Sequence, residues 1–435
     1  MAEINHAVKG TLDVLPFESY KWQFLEQTML KTAHLFGYRE IRVPVFEHTE
    51  VFSRSVGDTT DVVQKEMYTF LDKGGRSLTL RPELTAGTIR SVIEKGLTAG
   101  TLPVKACYIG GCYRYEKPQA GRLREFHQFG VECVGAAEPS ADAEVIALAH
   151  EVLKAVGLKN LSLQINSIGC PTCRAEYHKA LKAYFESRKG ELCETCLDRL
   201  DRNPMRILDC KSPTCQRIAA DAPVMLDYLC DDCRAHFEQV KKLLDASGIA
   251  FAVNPTIVRG LDYYTRTVFE FVSQDIGAQS TVCGGGRYDG LIAQMGGQPT
   301  PSLGFAMGLE RLLLALERNG SVLPDPEPTD LYLAALGERA KMACAALTAQ
   351  LRSAGFSAET DLCGRGLKAQ MRYANKIGAA FSMVLGDEEL DLGKARLKNM
   401  KTGAEREVLL ANLCNELGEA GREQALDELT DTICK

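Results

Sequence analysis

The sequence lacks the features that mark a membrane or secreted protein. Across its 435 residues no apolar run reaches the roughly 18 residues of a transmembrane helix. Residues 1–22 do not join a basic segment to an apolar one, as a signal peptide does. We therefore expect a cytoplasmic protein with no membrane partner. Thiols stay reduced in that compartment, so the 16 cysteines are not expected to form a disulfide framework.

The sequence also lacks an excess of positive charge, internal repeats and low-complexity tracts. Its formal net charge of -6 argues against a protein that coats nucleic acid indiscriminately, because such binding needs a broad basic surface. Local basic patches remain compatible with that charge. With 45% hydrophobic and 25% charged residues, the composition is that of a globular protein of two or three domains.

Apolar periodicity predicts a large α+β core and a smaller α/β domain. Most strand candidates in the core alternate apolar and polar residues, which is typical of antiparallel pairing. The candidates are 38–47, 77–83, 104–116, 124–135 and 161–169, whereas 18–36 and 302–318 show helical spacing. A proline-rich linker and then alternating strands and helices follow. The predicted boundaries are 1–167 and 251–322 for the core, 168–250 for an insertion, 323–329 for the linker and 330–435 for the last domain.

The stretch from 259 to 271, RGLDYYTRTVFEF, reads as a strand that carries several charges. Thr267, Phe269 and Phe271 share one face by period two, and Arg266 and Glu270 share the other. An antiparallel strand with one solvated face explains this pattern as well as a ligand-binding strand does. Three consecutive glycines follow at 284–286, and glycine lets a backbone approach a ligand closely.

Residues 113–132 read as two strands joined by a loop rich in arginine. Guanidinium groups suit phosphate oxygens because they donate two parallel hydrogen bonds and keep their charge. Phe126 offers a ring that can stack on a base, and Gln128 and Glu132 follow at alternate positions. A solvated arginine-rich hairpin is the competing interpretation. The basic residues of this segment are Arg114, Lys117, Arg122 and Arg124.

Together these segments resemble the histidyl-tRNA synthetase family, which belongs to the class II aminoacyl-tRNA synthetases. Residues 37–47, 113–132 and 302–316 are similar to the three class II motifs, and 259–264 and 284–291 to two stretches peculiar to the histidine enzymes. The resemblance spans essentially the whole chain. It implies an α+β catalytic core on a mostly antiparallel sheet, with a helical Cys-rich insertion and a C-terminal α/β anticodon-binding domain. It also implies a homodimer joined through the first motif.

The reaction implied by the resemblance activates L-histidine with ATP, releases pyrophosphate and transfers the histidyl group to tRNA(His). Carboxylate and triphosphate repel each other, so catalysis depends on aligning and neutralising charge. Arg114 and Arg259 would hold the α-phosphate, and Arg311 the γ-phosphate with Mg²⁺. The remaining implied contacts are Glu83, Thr85 and Gln128 to the α-amino group, Glu132 and Tyr264 to the imidazole, Tyr263 and Tyr288 in the same pocket, Glu116, Arg122 and Phe126 to ATP, and Gln119 to the tRNA acceptor end.

In the last domain four basic residues recur at helical spacing. Arg365, Lys368, Arg372 and Lys376 are separated by three, four and four positions, which predicts a single helical face. A solvated face is the usual interpretation of such a stripe. The resemblance favours contact with tRNA instead.

Eight of the 16 cysteines lie in the insertion, mostly as Cys-x-x-Cys pairs. Eight thiols suit two tetrahedral Cys₄ zinc sites. An insertion leaves and re-enters its host at neighbouring points, so its outermost pairs should meet in one site. Buried, reduced thiols are the alternative, since the resemblance carries over no metal. The two predicted sites are Cys170, Cys173, Cys230 and Cys233, and Cys193, Cys196, Cys210 and Cys215.

Two other functions fit part of the sequence. A catalytically silent relative that serves as a regulatory subunit of histidine biosynthesis would resemble the core, but such relatives tend to lack the 259–264 stretch and the anticodon domain. An RNA-binding module organised by zinc would need no catalysis. Histidine-dependent exchange of pyrophosphate into ATP separates these interpretations, because neither alternative protein would catalyse it.

Overall fold

The computed structural model describes residues 6–56, 60, 62–208, 210, 212–257, 263–275 and 281–433. The predicted catalytic residue Arg259 lies outside these residues. The chain forms two compact units, Met1–Pro324 and Asp325–Lys435. Among the helices of the described residues, none is both long and apolar enough to span a membrane.

A mostly antiparallel sheet forms the centre of the first unit, as the sequence predicted. The strands of this unit are β1 (Arg39–Glu40), β2 (Phe46–His48), β3 (Thr69–Leu71), β4 (Ser77–Leu80), β5 (Val104–Tyr113), β6 (Glu125–Val134), β7 (Leu161–Ser167), β8 (Ala252–Val253), β9 (Thr265–Ser273), β10 (Thr281–Arg287) and β11 (Ser302–Gly308). Eight of them pair in the order β1-β5-β6-β11-β10-β9-β7-β8, with the outer pairs parallel and the inner pairs antiparallel. Strands β2, β4 and β3 form a small antiparallel sheet.

Helices cover one face of the large sheet and build the insertion. They are α1 (Ser19–Leu35), α2 (Thr49–Val56), α3 (Thr85–Glu94), α4 (Pro139–Ala155), α5 (Pro171–Glu186), α6 (Glu194–Arg202), α7 (Pro213–Ala220), α8 (Asp231–Ala246), α9 (Leu291–Gln294) and α10 (Leu309–Arg318). The main core packs α1, α4, α8 and α10 against strand residues such as Phe129, Phe269 and Phe305. Helices α5 to α8 lie within the predicted insertion and, with α3, contribute to a second core.

The segment 302–318 corrects a prediction, because only its second half is helical. Residues 302–308 form β11, which pairs with β6 on one side and β10 on the other. Leu303, Phe305 and Met307 alternate and are buried in the main core. This period of two was present in the sequence, but the following helix α10 carries a strong period near 3.6 and dominated the pattern.

The segment 38–47 is also not the continuous strand that its alternation predicted. Strands β1 and β2 occupy its two ends, and the residues between them form no strand, although Ile41 N still donates to Cys107 O of β5 at 2.8 Å. Pro44 has no N–H to give to a ladder. The Arg81 guanidinium satisfies the carbonyls instead, donating to Val43 O at 2.7 Å and Pro44 O at 3.3 Å.

The second unit is the α/β domain that the sequence predicted. Its strands are β12 (Leu331–Ala335), β13 (Ala358–Thr360), β14 (Phe381–Leu385), β15 (Lys394–Asn399) and β16 (Glu405–Leu409), in the order β13-β12-β14-β15-β16. Its helices are α11 (Glu338–Ser353), α12 (Leu367–Lys376), α13 (Asp387–Leu392) and α14 (Leu413–Ile433). The first three strands of that order are parallel, and β15 and β16 add antiparallel edges.

Candidate active site

A cavity of about 430 Å³ opens on the sheet face opposite the main helical core. Strand alternation explains which side chains reach it. On β6, Phe126 and Gln128 line the cavity, whereas Phe129 and Val131 are buried in the core. On β9, Phe269 and Phe271 pack in the same core, but Arg266 and Glu270 do not line the cavity. Arg266 instead lies against His236 of α8, and Glu270 accepts from Thr281 Oγ1 at 2.8 Å.

The floor of the cavity is made of small residues. Gly284 of β10 and Ala306 and Gly308 of β11 line it. Gly304, next along β11, shows why a side chain is excluded here. A Cβ on Gly304 would lie 2.1 Å from Val131 O, 2.4 Å from Glu132 Oε2 and 2.7 Å from Tyr288 Oη. The glycine leaves room for Glu132, which the resemblance assigns to the imidazole, and for Tyr288, which it places in the same pocket.

Glu132 and Tyr288 each offer a buried polar atom near Gly304. Glu132 Oε2 and Tyr288 Oη have no hydrogen-bond partner among the described residues. The other oxygen of Glu132, Oε1, accepts from Tyr108 Oη at 2.8 Å. Burial raises the pKa of Glu132 well above its usual range, and the nearby Glu83 carboxyl adds to the rise. The arrangement is ready to receive a ligand that carries its own hydrogen-bonding atoms.

Three tyrosines form one side of this region. The Tyr263 ring lies 4.7 Å from that of Tyr264 and 5.3 Å from that of Tyr288, measured between centroids. All three are buried, and Tyr263 and Tyr264 line the cavity. Arg174 of the insertion donates to Tyr264 O at 3.1 Å, which ties this segment to α5. The pocket therefore has aromatic walls beside the Glu132 carboxyl.

Glu83 and Thr85 reach the cavity at the start of α3. The Glu83 oxygens accept from Thr85 N at 2.8 Å and Ala86 N at 2.7 Å, so this carboxylate also caps the helix. Burial raises the pKa of Glu83 although these hydrogen bonds oppose the rise. Each oxygen keeps a second lone pair. Glu83 can hold α3 and still accept from a cationic amine.

Arginines converge on the other end of the cavity. Arg114 donates to Pro82 O at 2.8 Å, and its guanidinium carbon lies 5.3 Å from the centroid of the Phe126 ring. Arg122 forms an ion pair with the buried Glu116. These contacts hold both guanidinium groups at the cavity wall.

Arg311, at the N-terminal end of α10, completes this cluster. Its guanidinium donates to Thr281 O at 2.9 Å. Burial lowers the pKa of Arg311, and the charges of Arg122 and Arg114 lower it further. Like charges that crowd one cavity favour a polyanionic ligand, because its charge relieves their repulsion.

Several functional residues were missed at the sequence level. Tyr108 fixes Glu132 from the neighbouring strand. The His127 backbone N–H donates to both oxygens of Glu310, at 2.9 and 3.0 Å, which secures the residue before Arg311. Arg199 and Arg206 of the insertion also line the cavity. The sequence contained only two signals for these residues. Tyr108 alternates with apolar residues along β5, and Arg199 and Arg206 lie between the cysteines, but neither pattern is specific to a binding site.

A buried ion network fixes the loop that carries Tyr288. Arg287, which is fully buried, forms an ion pair with Asp142 of α4 and donates to Ala136 O at 2.8 Å. Asp142 also pairs with His236 Nε2 at 3.2 Å, and His236 Nδ1 lies 3.2 Å from an Arg266 nitrogen. Burial opposes ionisation of Asp142, but His236 and Arg287 outweigh it and lower its pKa.

The predicted RNA-contacting residues are mostly exposed. Gln119 lies at the tip of the β5–β6 loop, where it exchanges backbone hydrogen bonds with Arg122 at 3.0 and 2.9 Å. Lys368, Arg372 and Lys376 lie on α12 and are exposed. The prediction that four basic residues share one helical face is wrong for Arg365, because this residue precedes α12. Its guanidinium pairs with Asp361 at 2.9 Å and its carbon lies 4.4 Å from the centroid of the Tyr373 ring.

The eight insertion cysteines meet in the two groups of four that their spacing suggested. In each group the sulfur atoms lie within 4.8 Å of one another. Backbone N–H groups point at the sulfurs, with Cys230 N 3.1 Å from Cys173 Sγ and Cys193 N 3.3 Å from Cys215 Sγ. A tetrahedral zinc with sulfur ligands at about 2.3 Å requires sulfurs about 3.8 Å apart. Both groups fit that requirement.

Comparisons with known proteins agree along the whole chain. The family described as histidyl-tRNA synthetase matches residues 10–312, and the family described as anticodon binding domain matches residues 330–420. The histidine–tRNA ligase of Acetivibrio thermocellus is 55% identical over 414 residues, which cover 95% of this chain and 99% of that protein. That of Caldanaerobacter subterraneus subsp. tengcongensis is 56% identical over 407 residues, with coverage of 94% and 98%.

A solved structure gives the same result. Apo histidyl-tRNA synthetase of S. aureus superposes with a TM-score of 0.82 at 40% sequence identity. The alignment covers 95% of this chain and 99% of that one. The similarity therefore includes the core, the insertion region and the last domain.

Proposed function

The chain belongs to the histidyl-tRNA synthetase family, and from this membership we infer that it is a histidine–tRNA ligase. Such an enzyme activates L-histidine with ATP and then joins the histidyl group to its tRNA. The relatives that match it over nearly their full length carry this name. The full-length match favours the ligase over a silent regulatory subunit.

The observation that carries the chemistry is one cavity with two unlike ends. Tyr263 and Tyr264 line one end, and Arg114 and Arg311 line the other. The buried Glu132 and Tyr288 adjoin the tyrosine end, where the Tyr288 ring contacts that of Tyr263. A neutral imidazole has one donor and one acceptor, so a carboxylate and a phenol together can satisfy both nitrogens. An apolar side chain of similar size would leave both groups unpaired, which is costly in a buried pocket.

Activation requires the histidine carboxylate to attack the α-phosphate of ATP. We assign neutralisation of that phosphate to Arg114, together with Arg259 from the family resemblance. Arg311 would hold the γ end, Phe126 would stack on adenine, and Glu116 would keep Arg122 oriented toward the nucleotide. Glu83, Thr85 and Gln128 would accept from or orient the α-amino group, which aims the carboxylate at phosphorus. No side chain needs to move a proton in this step.

Mg²⁺ is proposed to enter with ATP, whose phosphates supply most of its ligands in such sites. Glu116 and Glu310 lie at the cavity among the arginines. Both already accept from protein donors, but a carboxylate has about four lone-pair sites. Either one can therefore add an oxygen ligand, and the ion would neutralise charge on the phosphates.

Zinc is proposed for both cysteine groups, since their sulfur spacing fits a tetrahedral site. The role would be structural, because four sulfurs leave no open position for a substrate. Each site would fix a different part of the insertion. The Cys170, Cys173, Cys230 and Cys233 site would join the starts of α5 and α8 at the base of the insertion. The Cys193, Cys196, Cys210 and Cys215 site would join α6 to α7 near the cavity.

We also propose a cytoplasmic homodimer. The segment similar to the first class II motif exposes Val45 and Phe46, which are 41% and 52% accessible, and the adjacent small sheet exposes Leu71. Apolar side chains exposed side by side are typical of interfaces. Sedimentation should give twice the 47.7 kDa chain mass.

Histidine-dependent exchange of labelled pyrophosphate into ATP tests the proposed function directly. The purified chain should catalyse it with histidine and not with other amino acids. Absence of exchange from a folded protein with its metal bound would refute the ligase assignment.

A further inference from the structure

Two arginines of the cysteine-rich insertion line the same cavity as the arginines of the core. Arg199 lies on α6, and Arg206 lies in the short 3₁₀ turn Pro204–Ile207 that follows it. Both side chains are half-buried. Neither belongs to a segment similar to a class II motif, so the roles implied by the resemblance leave them unused.

The local structure fixes the Arg199 guanidinium and the backbone that carries Arg206. Arg199 donates from its guanidinium to Arg206 O at 3.0 Å, and Asn203 N donates to Arg199 O at 2.8 Å. Leu200 and Ile207 are buried at 2% and 0% exposure beneath them. The helix and the turn are therefore anchored by apolar contacts on one side while both arginines face the cavity.

The second cysteine group brackets these arginines in the sequence. Cys193 and Cys196 precede Arg199, and Cys210 and Cys215 follow Arg206. Because the four sulfurs lie within 4.8 Å of one another, they close the segment between them into a loop. A metal bound there would remove conformational freedom from the arginine-bearing segment.

The charge around the cavity favours an anionic ligand at this wall. Five arginines line the cavity: Arg114, Arg122, Arg199, Arg206 and Arg311. Four glutamates line the same cavity, Glu66, Glu83, Glu116 and Glu310, so the arginines exceed the carboxylates by one among its described lining residues. Guanidinium groups bind phosphate oxygens through paired hydrogen bonds.

We propose that Arg199 and Arg206 bind phosphate oxygens of a substrate in this cavity, and that the Cys193, Cys196, Cys210 and Cys215 group positions them there. The proposal rests on the proposed function for the identity of the phosphate. That phosphate is either the triphosphate of ATP or the terminal phosphodiester of the tRNA 3′ end. Both sources present the same oxyanions, and they act in different half-reactions.

Arg206→Ala is the decisive variant, because its main-chain carbonyl still accepts the Arg199 hydrogen bond. Arg206→Lys keeps the charge but loses the paired donors. Arg202→Ala is the matched control, since Arg202 lies at the end of α6, just before the turn that carries Arg206. Its side chain is 53% exposed and pairs with Asp198 instead of lining the cavity. Zinc content should be equal in all variants, which excludes damage to the cysteine group.

The two half-reactions distinguish the phosphate sources. If ATP is the ligand, Arg206→Ala should raise the KM for ATP in pyrophosphate exchange about tenfold or more, with the KM for histidine unchanged. If the RNA end is the ligand, exchange stays normal and single-turnover transfer from preformed histidyl-adenylate slows by a similar factor. The Arg202→Ala control should match the wild type in both assays.

The proposal is overturned if Arg206→Ala and Arg199→Ala match Arg202→Ala in both half-reactions while the wild type is active. That result would leave the ligase assignment intact. If the wild type shows no exchange, calorimetric titration with ATP and with tRNA still tests the contact. Equal affinities of Arg206→Ala and Arg202→Ala for both ligands would then refute it. A Cys215→Ser variant should reproduce the Arg206→Ala defect if the cysteine group positions the arginine.

Discussion

Glu132 is a buried carboxyl whose ionisation is opposed by its surroundings. Burial raises its pKa in the folded protein well above the ordinary glutamate value of 4.5. Its contribution to stability is therefore fully present below about pH 4.5 and is lost as pH rises through the folded pKa. A ligand that donates to Glu132 Oε2 would compensate for part of that loss. The same residue should thus reduce the stability of the free protein and strengthen histidine binding.

Glu132→Gln should separate these two effects. The amide cannot ionise, so the fall in unfolding free energy between pH 5 and pH 8 should become smaller than in the wild type. Its KM for histidine should rise about tenfold or more, because a carboxylate acceptor is replaced by a weaker one, while the KM for ATP stays the same. Urea unfolding across pH and exchange kinetics measure both effects. Glu125→Gln, on the same strand but half-buried, is the control, and equal behaviour of the two variants would contradict the role of Glu132.

Asp142 has the opposite effect to Glu132 on how stability depends on pH. Its folded pKa is lowered from 3.8, so its contribution is present above about pH 4 and is lost as pH falls through the folded pKa. Asp142→Asn removes the buried carboxylate partner of Arg287 and leaves it only the partly exposed Asp289, 3.2 Å away. The loss should cost about 3 kcal/mol of unfolding free energy at neutral pH. Denaturant unfolding measures the loss. Asp198→Asn, which disrupts an exposed pair, should cost under about 1 kcal/mol; equal costs would show that the Asp142 network is not stabilising.

Some residues of the candidate site could be predicted from the sequence, and others could not. Glu132 and Tyr288 could be proposed because family motifs contain them. Tyr108, Arg287 and His127 act through cross-strand or helix contacts that no local spacing encodes. Their roles depend on pairing register, such as Tyr108 opposite Gly130, which only the assembled sheet supplies.

At the scale of elements, strands with regular apolar–polar alternation could be predicted, but strands in which small residues weaken that alternation could not. Strands β5, β6 and β7 were predicted within a few residues, since each carries a clear period of two. β11 was assigned to a helix because its small residues, Gly304 and Ala306, give little polar contrast. The cysteine grouping was predictable for another reason: the topology of an insertion constrains which ends meet.

The two cysteine groups should hold one zinc each. Protein purified without chelator should contain two zinc per chain by elemental analysis. Cys170→Ser and Cys193→Ser should each lower this number by about one, because each removes one of four ligands from a separate site. Cys344→Ser, a buried cysteine of the second unit, should leave it at two. Absence of zinc, with all eight thiols open to titration in the folded protein, would refute the proposal.

At the scale of the whole molecule, the chain separates into two compact units near its proline-rich stretch. The boundary falls between Pro324 and Asp325, and each unit has its own core. The sequence could predict this division because composition changes sharply there. The arrangement of the two units on tRNA has no comparable signal in the sequence.

A chain ending at Leu323 should keep the first half-reaction and lose most of the second. The cavity is built from the first unit, so histidine-dependent pyrophosphate exchange should persist within about twofold. Charging of tRNA should fall by on the order of a hundredfold, as loss of several phosphate and base contacts would cause. Equal charging by the truncated, folded chain would show that residues 330–435 do not bind tRNA.

Charge reversal on α12 tests the same domain without removing it. Lys368→Glu with Arg372→Glu should raise the KM for tRNA and flatten its dependence on salt, because fewer counterions are released when fewer phosphates are neutralised. Pyrophosphate exchange should not change, since it needs no tRNA. Arg339→Glu with Lys341→Glu makes the same change in net charge on α11, where both side chains are exposed. If both double variants weaken tRNA charging equally, the effect comes from the overall charge of the domain and not from a specific surface on α12.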